Sequence, residues 1–187
     1  IAFGGELLAL RRLSHPRIRE VLDSGDLSDG RPFYTLDPVP GPELGDLGAL
    51  TGDRARQLWA DALLALAIGH SRQHLHGGIE PACLQLGPDG RLKLVAFGLA
   101  GEAGLAPGAW RGDPACCPPE AARGERLDPR ADLFALGAVF YQALAQMPPN
   151  GAPLTRVNAA AGPPTPVPIL DLRADLDPEF SNLLMAT

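Results

Sequence analysis

Apolar spacing changes several times along the chain, and each change marks an element. Over residues 6–13, Leu7, Leu8, Leu10 and Leu13 fall near one helical face, and Ser14-His15-Pro16 stops the helix because Pro16 disfavours helical backbone at His15. Ile18 to Leu22 and Pro32 to Leu36 are short apolar runs separated by the turn-forming clusters Asp23-Ser24-Gly25 and Ser28-Asp29-Gly30, which predicts a β-hairpin. Prolines and glycines crowd 37–50, so that stretch reads as a connector. Thr51-x-Asp53 then opens a run to His76 in which Leu58, Ala62 and Ala65, with Trp59, Leu63 and Leu66 alongside, repeat at helical spacing; a mostly buried helix of about five to six turns is expected. Gly87-Pro88-Asp89-Gly90 between Leu84–Leu86 and Leu92–Val95 predicts a second hairpin. Residues 99–119 lack periodicity and read as an extended loop. Residues 130–146 are apolar nearly all round, the mark of a helix at the centre of a core. Pro148-Pro149 ends it, 148–168 reads as irregular surface chain, and a last helix starts near Asp177-Pro178-Glu179.

With 187 residues the chain is long enough for one substantial core. Hydrophobic residues make up 45% and charged residues 20%, and no stretch approaches the roughly 20 apolar residues that span a bilayer. A soluble globular domain without membrane insertion is therefore expected, and no leader-like segment argues for secretion. Cys83, Cys116 and Cys117 suit neither a disulfide framework nor paired metal ligands, so reduced thiols and a cytoplasmic setting are the expectation. A net charge of −6 without a basic run speaks against nucleic acid as a partner. Free use of Leu, Ala and Arg points to a high-GC bacterial source.

Four segments, in order, carry a resemblance to a known family. HLHGGIEPACLQLGPDGRLKLVAFGLA (74–100) resembles the catalytic loop and metal-binding segment of bacterial Ser/Thr protein kinases, where His-Arg-Asp is followed by Lys-Pro-x-Asn and later by Asp-Phe-Gly. CPPEAARGERLDPRADLFALGAVFYQALAQMPP (117–149) is similar to the Ala-Pro-Glu motif and the Asp-bearing central helix. FGGELLALRRLSHPRI (3–18) is similar to the helix that carries an ion-pairing Glu, and FYTLDPVPGPEL (33–44) to the fifth strand and hinge. The resemblance implies an α+β protein kinase-like fold, mainly the helical C-lobe with a reduced N-lobe of one helix and a β-hairpin. It divides a single domain over 1–187 into an N-lobe remnant at 1–37, a hinge and linker at 38–50 and a helical C-lobe at 51–187.

Phosphoryl transfer in this family relies on metal ions held by an Asp and an Asn, a catalytic-loop Asp accepting the hydroxyl proton, and Lys contacts to the phosphates. Gly78 stands where the proton-accepting Asp would be, Glu80 where a phosphate-contacting Lys would be, Cys83 at the metal-binding Asn and Ala96 at the metal-binding Asp. A thiol is a poor ligand for Mg²⁺. The resemblance therefore implies a degenerate pseudokinase that is no enzyme and takes no cofactor, with Leu36, Asp37 and Val39 as a vestigial hinge and Gln85 beneath the adenine position. It assigns structural motif roles to Glu6, His76, Phe97, Gly98, Glu120 and Asp132, with Asp132 anchoring the catalytic-loop backbone and Leu10, Val21, His76 and Phe97 in an apolar column. From 97 to 123 there is no Ser, Thr or Tyr, so the phosphosite that orders such a loop in the family has no hydroxyl here, and Asp113 stands near the family's Gly-Thr threonine.

Plainer readings stand beside these. Glu125, Asp128 and Asp132 read as a solvated helix start before they read as a metal cluster, Cys116-Cys117 as ordinary thiols before a redox pair, and His70, His74 and His76 as favourable cations near a helix C-terminus before a metal site. The expected function is a regulatory or scaffolding domain that binds a protein partner, an active kinase or a complex component. The alternatives are a nucleotide sensor, or an atypical enzyme with metal ligands from Glu102 or Asp113.

Overall fold

The computed structural model describes residues 7, 11, 13–97, 110–149 and 165–186. In chain order its elements are strands β1 (Val21–Asp26) and β2 (Pro32–Leu36), a 3-10 turn at Leu44–Leu47, helix α1 (Gly52–Ser71), a 3-10 turn at Pro81–Cys83, strands β3 (Leu84–Leu86) and β4 (Leu92–Leu94), a 3-10 turn at Pro114–Cys116, and helices α2 (Pro119–Ala122), α3 (Pro129–Ala145), α4 (Ile169–Leu172) and α5 (Pro178–Met185). The strands form two separate antiparallel pairs, β1–β2 and β3–β4.

α1 and α3 carry the core. Thr51 caps α1 by accepting from the Arg54 N–H, and Leu58, Trp59, Ala62, Ala65 and Leu66 are buried along it. Asp128 caps α3 by accepting from the Arg130 N–H, Pro129 occupies the first turn, and the helix buries Ala135 to Tyr141 without a break. Trp59 meets Phe140 edge-on at 5.0 Å and 89°, and Phe180 of α5 at 6.3 Å, which ties three helices into one apolar centre. Burial of a ring such as Phe140 contributes about 3 kcal/mol.

Asp61 fastens the second hairpin to this centre. Its carboxylate, 1% exposed, accepts from Arg91 Nε at 2.9 Å and from the Leu92 N–H at 3.0 Å, and Arg91 Nη2 pairs with its other oxygen. Burial alone would raise this carboxyl's pKa; the Arg91 and Leu92 hydrogen bonds outweigh it and hold the pKa below the usual value.

The structure revises several sequence expectations. Ile18 leaves the first hairpin and forms a parallel bridge to Leu94, while Asp23-Ser24-Gly25 is strand, not turn. The reversal lies at Leu27 to Arg31, closed by the Leu27 N–H to Arg31 O at 2.8 Å, with Gly30 at φ +81°. A two-stranded ribbon that faces water on most positions has no need of apolar alternation, which is why polar residues could form it. The connector at 37–50 is not merely a spacer: Leu44 and Leu50 are buried, and the Gly41 N–H donates to Leu86 O while Leu86 donates to Pro42 O. α1 stops at Ser71, five residues before the end of the expected helical run at His76. Gln73 takes φ +62°, and the His74 N–H returns to Gly69 O at 3.0 Å, which turns Leu75 and His76 inward. The second hairpin, the buried helix and the Asp177-capped final helix stand where expected, whereas α4 lies just past the irregular stretch at 148–168, where no element was expected. The helix over 6–13 falls largely outside the described residues; Leu7 and Arg11 have helical backbone.

Candidate functional site

The loop between α1 and β3 is held by one carboxylate. Asp132, fully buried in the first turn of α3, accepts from the His76 N–H at 2.8 Å on one oxygen and from the Gly77 N–H at 2.8 Å on the other. His70 Nε2, from the end of α1, donates to the same carboxylate at 2.8 Å. A buried charge costs several kcal/mol unless its lone pairs are filled, and three donors fill these. Asp132 is thus an internal anchor and not part of a solvated helix start with Glu125 and Asp128.

His76 packs inward from that anchor. Its Nε2 lies 2.9 Å from Val95 O, and because a carbonyl only accepts, Nε2 carries the proton. Its Nδ1 is buried without a partner among the described residues. Burial pushes the ring's pKa below the usual histidine value, against the upward pull of Asp132. Phe97 closes the other side, 5.2 Å away and edge-on, over the surface of α1 where Gly69 leaves space for the ring.

Of the four positions that the resemblance assigns to chemistry, Gly78 and Cys83 are in contact. Gly78 offers only backbone, and its carbonyl accepts from Cys83 Sγ at 3.6 Å. Cys83 is buried, its N–H donates to Glu80 O, and its carbonyl accepts from the Val95 N–H at 2.8 Å. Burial raises the Cys83 thiol's pKa to about 12, so it stays protonated. Glu80 precedes the 3-10 turn at Pro81–Cys83 in extended backbone. Ala96 sits at φ +60°, a left-handed conformation that a non-glycine residue adopts only when its surroundings hold it there.

The remaining expected positions are spread wider. Leu36 ends β2 opposite Val21, and Asp37 pairs with Lys93 of β4 while its carbonyl accepts from Arg19 Nε at 2.8 Å. Val39 packs on the core, and its N–H donates to no described residue. Gln85 Nε2 donates to Ala82 O at 3.2 Å. Glu120 lies in α2 beside a charged groove of ≈ 400 Å³ shared with Arg123, Arg126 and Phe134. Glu6, Leu10, Gly98 and Glu102 lie outside the described residues. Sequence reasoning missed His70 as a ligand of Asp132; its spacing from His74 was visible, but its partner 62 residues away was not.

A protein kinase domain model matches residues 2–160. The chain belongs to the protein kinase domain family. Similar relatives are the DNA damage-responsive serine/threonine-protein kinase RqkA of Deinococcus radiodurans, 36% identical over 155 residues, covering 77% of this chain and 23% of that protein, and the serine/threonine-protein kinase PknB of Mycolicibacterium smegmatis, 30% identical over 187 residues, covering 92% and 30%. Another is the serine/threonine-protein kinase pkn3 of Myxococcus xanthus, 31% identical over 163 residues, covering 79% and 30%. The chain spans less than a third of the length of these relatives.

These matches correct the expectation that the chain is no enzyme. Its family and its relatives are those of serine/threonine-protein kinases, and a chain that spans under a third of them does not show that the protein has lost its catalytic residues. The kinase-like α+β fold and the family resemblance hold.

The described residues do not fit Mg²⁺ in the family's manner. A protonated, buried thiol at Cys83 and a methyl group at Ala96 supply no hard oxygen ligand. Asp113 Oδ1 accepts from the Ala115 N–H at 2.7 Å and caps the 3-10 turn that follows. Among the described residues no group of three His, Cys, Asp or Glu side chains could hold a metal ion, and no helix is long and apolar enough to cross a membrane.

Proposed function

We propose that this kinase-family domain serves as a regulatory or scaffolding module that binds another protein, an active kinase or a complex component, in a bacterial cytoplasm. The observation that carries the reading is a contrast around the loop between α1 and β3. Asp132 holds that loop, with His76, Gly77 and His70 at hydrogen-bonding distance, while Cys83 at the end of the loop and Ala96 after β4 do not suit the metal arrangement. A shape maintained by buried hydrogen bonds is what a protein-binding surface needs. The N-lobe remnant, hinge and helical C-lobe, at 1–37, 38–50 and 51–187, act as one domain in this reading.

A second reading has one observation behind it: the Val39 N–H in the hinge segment, which donates to no described residue, can still donate to an adenine edge, which suits a nucleotide sensor. Titrating the domain with ATP, with and without Mg²⁺, and following the unfolding temperature separates the readings. The regulatory module shows no shift in either arm. A metal-independent rise moves the assignment to the sensor, and a rise that requires Mg²⁺ overturns both in favour of ATP chemistry with other ligands.

A further inference from the structure

Three prolines line the outer side of the hinge segment. Pro38, Pro40 and Pro42 are exposed, whereas Asp37, Val39 and Gly41 between them are half-buried, and Val39 packs on the core. This alternation is that of an extended chain, and the sequence leaves little else open: each proline ring fixes its own φ, and each residue before a proline is steered to extended backbone. Tertiary contacts hold both ends of the row. The Asp37 N–H donates to Glu20 O at 2.9 Å and its carbonyl accepts from Arg19 Nε at 2.8 Å, while the Gly41 N–H donates to Leu86 O at 3.1 Å and the Leu86 N–H to Pro42 O at 3.0 Å. No Cβ fits at Gly41 against the Leu86 carbonyl.

The prolines have no N–H to give, and those of Asp37 and Gly41 donate within the protein, which leaves little for a partner to pair with as an added strand. What the row offers is rigid apolar ring surface. Aromatic side chains dock on such prolines, and a chain already fixed in extended form loses little entropy when it is bound.

Charge narrows the partner. Residues 20–46, which span β1, β2 and the row, hold seven Asp and Glu against one Arg, and the rest of the chain holds fifteen of each sign, so the net charge of −6 resides in this stretch. Glu20, Asp23, Asp26, Asp29 and Asp46 are exposed. Asp29 pairs with Arg31 and Asp37 with Lys93, which leaves the acidic excess in place. Such a surface attracts a cationic partner and repels an acidic one.

We infer that the row of Pro38, Pro40 and Pro42 is a docking surface for a protein segment that presents aromatic and basic side chains together. The rings stack on the prolines, and the Lys or Arg side chains meet the acidic stretch beside them. The inference rests on the protein-binding role proposed above and adds the chemistry of the partner.

Proline labelled with ¹³C lets each ring report a stacked aromatic as an upfield proton shift. The probes are three acetylated, amidated peptides: Lys-Trp-Lys-Trp-Lys, Glu-Trp-Glu-Trp-Glu and Lys-Ala-Lys-Ala-Lys. The first should shift Pro38, Pro40 and Pro42 with a midpoint at least about tenfold below that of the second at low salt, and most of that margin should vanish in about 0.5 M salt. The third should leave the proline shifts in place. Pro88, exposed but outside the acidic stretch, should stay unmoved with all three. Pro40→Ser should weaken binding of the first peptide at least about threefold, because a ring is lost and the row is less rigid. Should that variant fail to fold, the shifts in the wild type decide. Equal midpoints for the two Trp peptides, an equal response at Pro88, or no shift at the row overturns the inference. The ATP titration scores the regulatory reading separately: peptide binding together with a rise on ATP keeps the row and removes that reading, whereas no rise on ATP and no peptide binding removes the row alone.

Discussion

Replacing Gly69 by alanine sets two effects of opposite sign against each other. Gly69 is a buried position in α1, and Gly to Ala in a helix interior normally stabilises by about 0.5–1 kcal/mol through backbone entropy. Here the new methyl would stand 2.1 Å from Phe97 Cζ and 2.5 Å from Cε1, where carbon atoms prefer about 3.5–4 Å. Phe97 is 1% exposed and lies edge-on to His76, so its ring can retreat only by displacing a packed neighbour. Overpacking of this kind costs about 1–3 kcal/mol. The clash should win, leaving a net loss of about 1–2 kcal/mol and a fall in unfolding temperature of about 2–8 °C for a chain of this size. Urea denaturation followed by circular dichroism measures it, and a double-mutant cycle with Phe97→Leu locates it: in the smaller-ring background the alanine should become neutral or stabilising. A Gly69→Ala protein more stable than wild type would refute the close packing of Phe97 on α1.

Two further outcomes follow from the same buried network. Asp132→Ala leaves the His76 and Gly77 N–H groups buried without acceptors, at about 1–3 kcal/mol each, partly offset by removing a buried charge; a net loss of about 3 kcal/mol in chemical denaturation is expected, and a loss under about 1 kcal/mol contradicts the anchor. The pH dependence carries a definite sign. Because burial lowers the folded-state pKa of His76 below its unfolded value of 6.5, the unfolded chain takes up the proton first as pH falls, so this contribution to stability is full above about pH 6.5 and declines below it. Stability measured from pH 8 to 5 should therefore fall more steeply in wild type than in His76→Gln, and parallel curves would show that the ring is not held neutral.

Much of the fold was legible in the residues. Helical periodicity from Thr51 onward, the apolar run around Leu136, the Gly87-Pro88-Asp89-Gly90 turn and the Asp177 cap are local signals, and local backbone chemistry decided those elements. The family, too, was written in the order of four motifs. The first hairpin was misread because its strand from Val21 to Asp26 is polar and solvent-facing, so no burial pattern marked it. The end of α1 was misread because no proline or glycine marks it before Gly77; the chain leaves the helix with Gln73 in left-handed backbone and Leu75 and His76 buried.

At the candidate site the division is sharper. Sequence alone determined which atoms stand at 78, 80, 83 and 96, and hence that a glycine, a carboxylate, a thiol and a methyl group occupy the positions the resemblance singles out. Tertiary structure decided what those atoms do. It brought Asp132 to His70, His76 and Gly77 from 55 to 62 residues away, buried Cys83 until its thiol holds its proton, and laid Gly112 on Gly78. The physical reason is that hydrogen-bond partners, desolvation and close approach depend on distances through space, which only the packed core sets, whereas capping, turn chemistry and periodicity act over a few residues of chain and can be read from their order.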